Sequence, residues 1–320
     1  MQIAGRLCQA PIQAYRSQVA SHRSTLQIAS ILVINWFLQA NALCAAQARI
    51  WEQLSGEKAL AHVQRLVDIG PRPSGSEAIE KSRRYIEEQL RNFGWQITRQ
   101  GFTDETPRGK VQFVNLIARF SGHENTVPLF LLCSHYDTKT FDAVKFVGAN
   151  DGGSSTGLLL ELARVIGRDP QLAAKIELIF FDGEEAYDHF SETDGLYGSR
   201  YFAKQLGSTR QFRGAIVFDM VGDRSLDITL PADSPSEMAR DIFAAADALK
   251  LRNHFTYLDR EMIDDHSPLN AVGVPSIDVI DFDYPWWHTG GDTIDKISAQ
   301  SLQIVGSVAL YYLFEFALKG

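Results

Sequence analysis

Apolar and polar positions along the chain follow two periods, and their alternation predicts a regular succession of helices and strands. From Glu57 to Ile69 the apolar residues recur at helical spacing, and Gly70-Pro71-Arg72-Pro73 then stops the helix and turns the chain. Ser76 to Phe93 predicts a second amphipathic helix closed by Gly94, with strands to follow at Trp95 to Arg99 and Val111 to Phe120. Apolar runs predict buried strands at Leu129 to Ser134, Ile176 to Phe181, Ala215 to Phe218 and Ser276 to Ile280. Between and after them, helical spacing marks Ser154 to Ile166, Tyr197 to Leu206, Ser236 to Leu249 and a closing helix at Ser298 to Leu318. Apolar strands alternating with amphipathic helices imply a sheet covered on both faces. The expected fold is α/β: a single domain with a mixed, mostly parallel central sheet and helices on both sides.

Ligands of such sheets gather beyond the carboxyl ends of the strands. His135 in Ser-His-Tyr-Asp, the adjacent Glu184 and Glu185, and Asp219 in Phe-Asp-Met each follow a predicted strand closely. His288 in Trp-Trp-His-Thr comes a short loop after another, and Asp151 in Ala-Asn-Asp-Gly precedes a predicted helix. Mixed imidazole and carboxylate ligation suits zinc, and a neighbouring carboxylate that is not a ligand can move protons. Structural roles compete for each residue. Asp151 could cap the helix that follows it, and His288, flanked by Trp286, Trp287 and Thr289, could be a packed histidine. Glu184-Glu185 is harder to explain that way, because uncompensated carboxylates at the mouth of a buried strand are costly.

Composition narrows the classes. The 320 residues carry a net charge of -8, which argues against a nucleic-acid surface and for a small-molecule or peptide substrate. Arg6, Arg16, His22 and Arg23 precede an uncharged stretch from Ser24 to Ala48, with small residues at Ala40-Asn41-Ala42 and Ala46-Gln47-Ala48. That order predicts a secretory signal over residues 1–48, or a retained membrane anchor, since the stretch exceeds the roughly 20 residues a spanning helix needs. Either way the catalytic domain, residues 49–320, is expected outside the cytoplasm, periplasmic or secreted. Cys8 and Cys44 lie in that segment, so the domain keeps Cys133 alone and must be stabilised by packing rather than by an internal disulfide.

The strings Cys-Ser-His-Tyr-Asp-Thr-Lys (133–139), Val-Gly-Ala-Asn-Asp (147–151) and Leu-Ile-Phe-Phe-Asp-Gly-Glu-Glu-Ala (178–186) carry a resemblance. So do Leu-Tyr-Gly-Ser-Arg (196–200), Asp-Asp-His-Ser-Pro (264–268) and Trp-His-Thr (287–289). Together they resemble animal-type glutaminyl-peptide cyclotransferases, which share their fold with a wider group of zinc aminopeptidases. The resemblance implies one zinc held by Asp151, Glu185 and His288, with Glu184 as general acid/base and Asp264 and Asp219 in a hydrogen-bond network behind it. Trp287 would line the pocket. The implied substrates are peptides or proteins with an N-terminal glutamine, cyclised to pyroglutamate with release of ammonia by a protein expected to be monomeric. Phe190 and Ile263 stand where the family carries tryptophan and glutamine in the substrate pocket, and Thr156 replaces one partner of a family disulfide.

Two other chemistries compete. A two-zinc aminopeptidase would use His135 and Asp219 for a second ion bridged by Asp151. Asp264 ahead of Asp265-His266, and Trp287 directly before His288, favour the cyclotransferase. A serine hydrolase would use Gly153-Ser154-Ser155-Thr156-Gly157 as a nucleophile elbow with Asp278 and His288, but Asn150-Asp151-Gly152 interrupts the strand such an elbow requires.

Overall fold

A computed structural model describes residues 49–123, 126–207 and 212–319. The expectation for residues 1–48 falls outside them, and no helix among the described residues is long and apolar enough to cross a membrane. Among the described residues, eight strands form one sheet. They are β1 (Trp95–Thr106), β2 (Gly109–Phe120), β3 (Phe130–His135), β4 (Ile176–Phe181), β5 (Gly214–Asp219), β6 (Ile228–Leu230), β7 (Phe255–Tyr257) and β8 (Ser276–Ile280). Their order across the sheet is β1-β2-β4-β3-β5-β8-β6-β7. The centre, β4-β3-β5-β8, is parallel throughout, whereas β1-β2, β2-β4 and β6-β8 pair antiparallel. The mixed, mostly parallel sheet expected from the sequence is the one observed.

Helices cover both faces. They are α1 (Gly56–Ile69), α2 (Glu77–Asn92), α3 (Gly153–Ile166), α4 (Pro170–Ala173), α5 (Tyr197–Gln205), α6 (Ser236–Ala248), α7 (His266–Ala271) and α8 (Ala299–Tyr312), the last continued by a π-helical turn at Leu313–Ala317. Successive strand residues point to opposite faces, so each strand feeds two cores. Leu132, Leu178, Phe180, Ile216 and Phe218 pack with α1, α3, α6 and α8. Leu131, Cys133, Ile179, Phe181 and Val217 pack with Phe202, Ala203 and Leu269 from α5 and α7. Cys133 is a buried free thiol in that second core, as its place in an apolar run suggested.

The main departures from the sequence reading lie at the sheet edge. β1 runs on to Thr106 and pairs residue for residue with β2 down to Thr106 and Gly109. Its outer half, Thr103-Asp104-Glu105-Thr106, is mostly exposed, so no apolar alternation marked it, and such charge keeps an edge strand from pairing further. The strands β6 and β7 and the helix α7 are only three, three and six residues long, too short to carry a period.

Candidate active site

The chain runs β3 to β4 on one side and then crosses to β5 on the other, which opens a crevice at the carboxyl ends of β3 and β5. His135 ends β3 and Asp219 ends β5, and His135 Nε2 lies 3.1 Å from Asp219 Oδ1 across that crevice. Asp151 arrives between them from the loop before α3. It does not cap that helix: Gly152 occupies the cap position with φ 73° and no side-chain hydrogen bond. A side chain at Gly152 would meet the Asp137 carbonyl at 2.7 Å and the His135 ring at 2.9 Å, so only glycine lets this loop descend onto β3.

Two groups of metal-ligand type share Asp151. Asp151, Glu185 and His288 bring one ligand atom each within 4.8 Å of one another, and so do His135, Asp151 and Asp219. In the first, His288 Nε2 sits 3.1 Å from Glu185 Oε2 and 3.5 Å from Asp151 Oδ2. In the second, His135 Nε2 is 3.1 Å from Asp219 and 3.4 Å from Asp151. Asp151 Oδ2 is buried without a hydrogen-bond partner, a costly state for a carboxylate oxygen that a cation would relieve. Two carboxylates and an imidazole in the first group form a donor set that zinc accepts with a position left for substrate, so the residues fit a metal.

The scaffold behind these residues is built from groups the sequence reading did not single out. Asp137, two residues past His135, accepts the backbone N–H of Glu184 at 3.2 Å and of Glu185 at 3.3 Å, which fixes both carboxylates at the mouth of β4. The Lys139 N–H donates to Glu185 Oε1 at 3.0 Å. Asp292 accepts the N–H groups of Asn150 and Asp151 and the Tyr284 hydroxyl, at 2.8, 3.1 and 2.8 Å. Arg72 is fully buried and donates to the carbonyls of Tyr136, Val147 and Gly148, bracing the loop that delivers Asp151. At Thr156, where the sequence lacks a disulfide cysteine, the hydroxyl donates to the His135 carbonyl at 2.8 Å and ties α3 to the end of β3.

Glu184 stands beside the ligands with its side chain buried. Burial, then Asp264 and Glu185, push its carboxyl well above the usual range, against the opposing charge of His135. Asp219 is pushed up to about 7 chiefly by burial, with His135 resisting and Asp264 and Asp151 adding to the rise. Buried carboxylates packed this closely disfavour one another's ionisation. Glu184, Asp219 and Asp264 line one pocket with Asp151, His288, Trp287, Phe190 and Ile263, so the sequence-predicted catalytic and substrate residues converge. Trp287 is 40% exposed and stacks on the His288 ring at 4.1 Å between centroids, while Phe141 and Phe146 meet that ring edge-on. His288 itself has φ 55°, an unusual conformation for a residue with a side chain and one found at functional sites.

The serine-hydrolase arrangement is not formed. Ser155 is buried inside α3 rather than exposed on a strand-to-helix turn, and Asp278 is buried in β8.

The pattern that defines peptidase family M28 matches residues 115–313, more than half of the chain. The protein belongs to that family. A glutaminyl-peptide cyclotransferase of Boiga irregularis is 27% identical over 300 residues, covering 80% of this chain and 79% of the relative. The crystal structure of an Acidobacteriales bacterium glutaminyl cyclase superposes with a TM-score of 0.74 at 31% identity, over 84% of this chain and 96% of that one. A zinc-dependent exopeptidase from Parabacteroides distasonis reaches the same TM-score at 26% identity, over 82% and 98%. The M28 protein described here is thus an enzyme-family member similar to both cyclases and exopeptidases.

Proposed function

We propose that this M28 protein is a glutaminyl-peptide cyclotransferase that acts on peptides or proteins with an N-terminal glutamine and uses one zinc held by Asp151, Glu185 and His288. The observation that carries the reading is Glu184, a buried carboxyl with a raised affinity for protons that lines one pocket with Asp151, His288 and Asp264 and with the aromatic rings of Phe190, Phe282 and Trp287. The similarity to named cyclases supports it.

In this reaction the α-nitrogen of the substrate bonds to the carbon of its own side-chain amide, the bond from that carbon to the amide nitrogen breaks, and ammonia leaves. A zinc bound by the trio supplies Lewis acidity toward the amide oxygen. Glu184 accepts a proton from the α-ammonium group and delivers one to the departing nitrogen. Asp264 and Asp219 line the same pocket, and the Asp264 carboxylate opposes ionisation of Glu184. Trp287, Phe190 and Ile263 fold the glutamine side chain back and keep water out, which is what an intramolecular attack most needs. Glu184→Gln keeps the side chain's size and should lower kcat by about 10²- to 10⁴-fold with zinc content and folding unchanged. Cyclisation at near wild-type rate would remove the role given to Glu184.

The second ligand group, His135, Asp151 and Asp219, favours one alternative, a two-zinc aminopeptidase. We also propose that residues 1–48 export or anchor the enzyme, with the catalytic domain outside the cytoplasm.

A further inference from the structure

The metal-side pocket is small, about 30 Å³ of room, whereas a groove of about 660 Å³ opens beside it between α5 and α7. The two are joined. Ile263, 61% exposed, lines both, and both walls of the pocket continue into the groove along the chain. On one side Phe190 belongs to the pocket and Ser191 and Glu192 to the groove. On the other, Met262 and Asp264 belong to the pocket and Ser267 and Pro268 to the groove. Its apolar lining comes from Leu196, Ala203, Ile263, Pro268, Ala271 and Val272.

Both walls are preformed. Asp194 accepts the N–H groups of Tyr187, Asp188 and His189 and the Tyr197 hydroxyl, and Arg200 reaches the carbonyls of Ser191 and Glu192. Opposite, the Ser267 hydroxyl donates to the Met262 carbonyl at 3.2 Å and accepts the Asp264 N–H at 3.4 Å. An apolar groove that shares Ile263 with the metal-side pocket suits the rest of an extended peptide, which advances about 3.3–3.6 Å per residue.

We infer that this groove binds the substrate's own chain downstream of the reacting residue and selects apolar side chains at its third and fourth positions. The inference rests on the cyclotransferase reading. With glutamine in the pocket, the second residue crosses Ile263 and the next two lie over the floor formed by α5 and α7.

The test compares kcat/KM of the full-length, zinc-loaded enzyme for glutamine amide, Gln-Gly-Leu-Phe-Gly and Gln-Gly-Asp-Asp-Gly. Burial of apolar side chains should favour the Leu-Phe peptide over the Asp-Asp peptide by about 10-fold or more, mostly through KM. Ala271→Arg and Val272→Lys, both at exposed positions on the groove, should each bring that ratio close to one. Equal values for the two peptides, a preference for the acidic one, or a ratio that survives both substitutions would overturn the groove while turnover of glutamine amide left the cyclotransferase reading standing. No turnover of glutamine amide would overturn both.

Discussion

His135 and His288 differ in how each is held, and the difference separates their roles. Each imidazole has its Nε2 3.1 Å from a carboxylate, His135 from Asp219 in the second ligand group and His288 from Glu185 in the first, but His135 is fully buried whereas His288 is partly exposed and stacked on Trp287 at the pocket wall. His135→Ala should therefore keep its zinc and part of its activity, and His288→Ala should lose the metal, as metal analysis of the purified variants would read. Equal loss from both would point to two ions. At this scale the sequence revealed the residues that meet the pocket, because acids and histidines recur just past several apolar strands and the joint pattern outweighs the structural role each could have alone. Asp137, Asp292 and Arg72 stayed hidden because they act through backbone groups, some more than 140 residues away in the case of Asp292, that only the fold brings near.

Among the elements, the loop between β3 and α3 has the greatest leverage on the site, since it carries Asp151 and is braced by the buried side chains of Arg72 and Asp292. Burial lowers the Arg72 guanidinium to about 10, against the charges of Asp292, Asp137, Asp151 and Glu185, so it stays charged at neutral pH inside the protein. Arg72→Met should leave three buried carbonyls without their donor and cost about 3 kcal/mol of stability, with weaker zinc retention. Denaturant unfolding and zinc content together check this, and an unchanged midpoint would show the brace to be dispensable. In the sequence, Gly-Pro-Arg-Pro gave the end of α1 and a turn, but nothing in the pattern said that the arginine points inward. The central strands were legible because they are buried on both faces and read as apolar runs. The outer half of β1 and the short β6 and β7 were not, because exposure or brevity erased the period.

Across the whole molecule, the order β4-β3-β5 places a crevice between His135 and Asp219, and residues at or beyond the carboxyl ends of β3, β4, β5, β7 and β8 line the pocket there. Fold and ligand group alone suit either cyclisation or peptide-bond cleavage, because both reactions begin with a carbonyl beside a metal and a carboxyl that moves protons. What distinguishes them is the product. The most direct measurement incubates the purified zinc-loaded protein with a Gln-initiated peptide and an aminoacyl anilide, each with and without chelator, and follows ammonia and peptide mass. The expected result is a peptide that loses one ammonia and keeps its full length, only when metal is present, with the anilide left intact. Release of a free amino acid from either substrate, with no pyroglutamyl product, would contradict the account and make the protein an aminopeptidase.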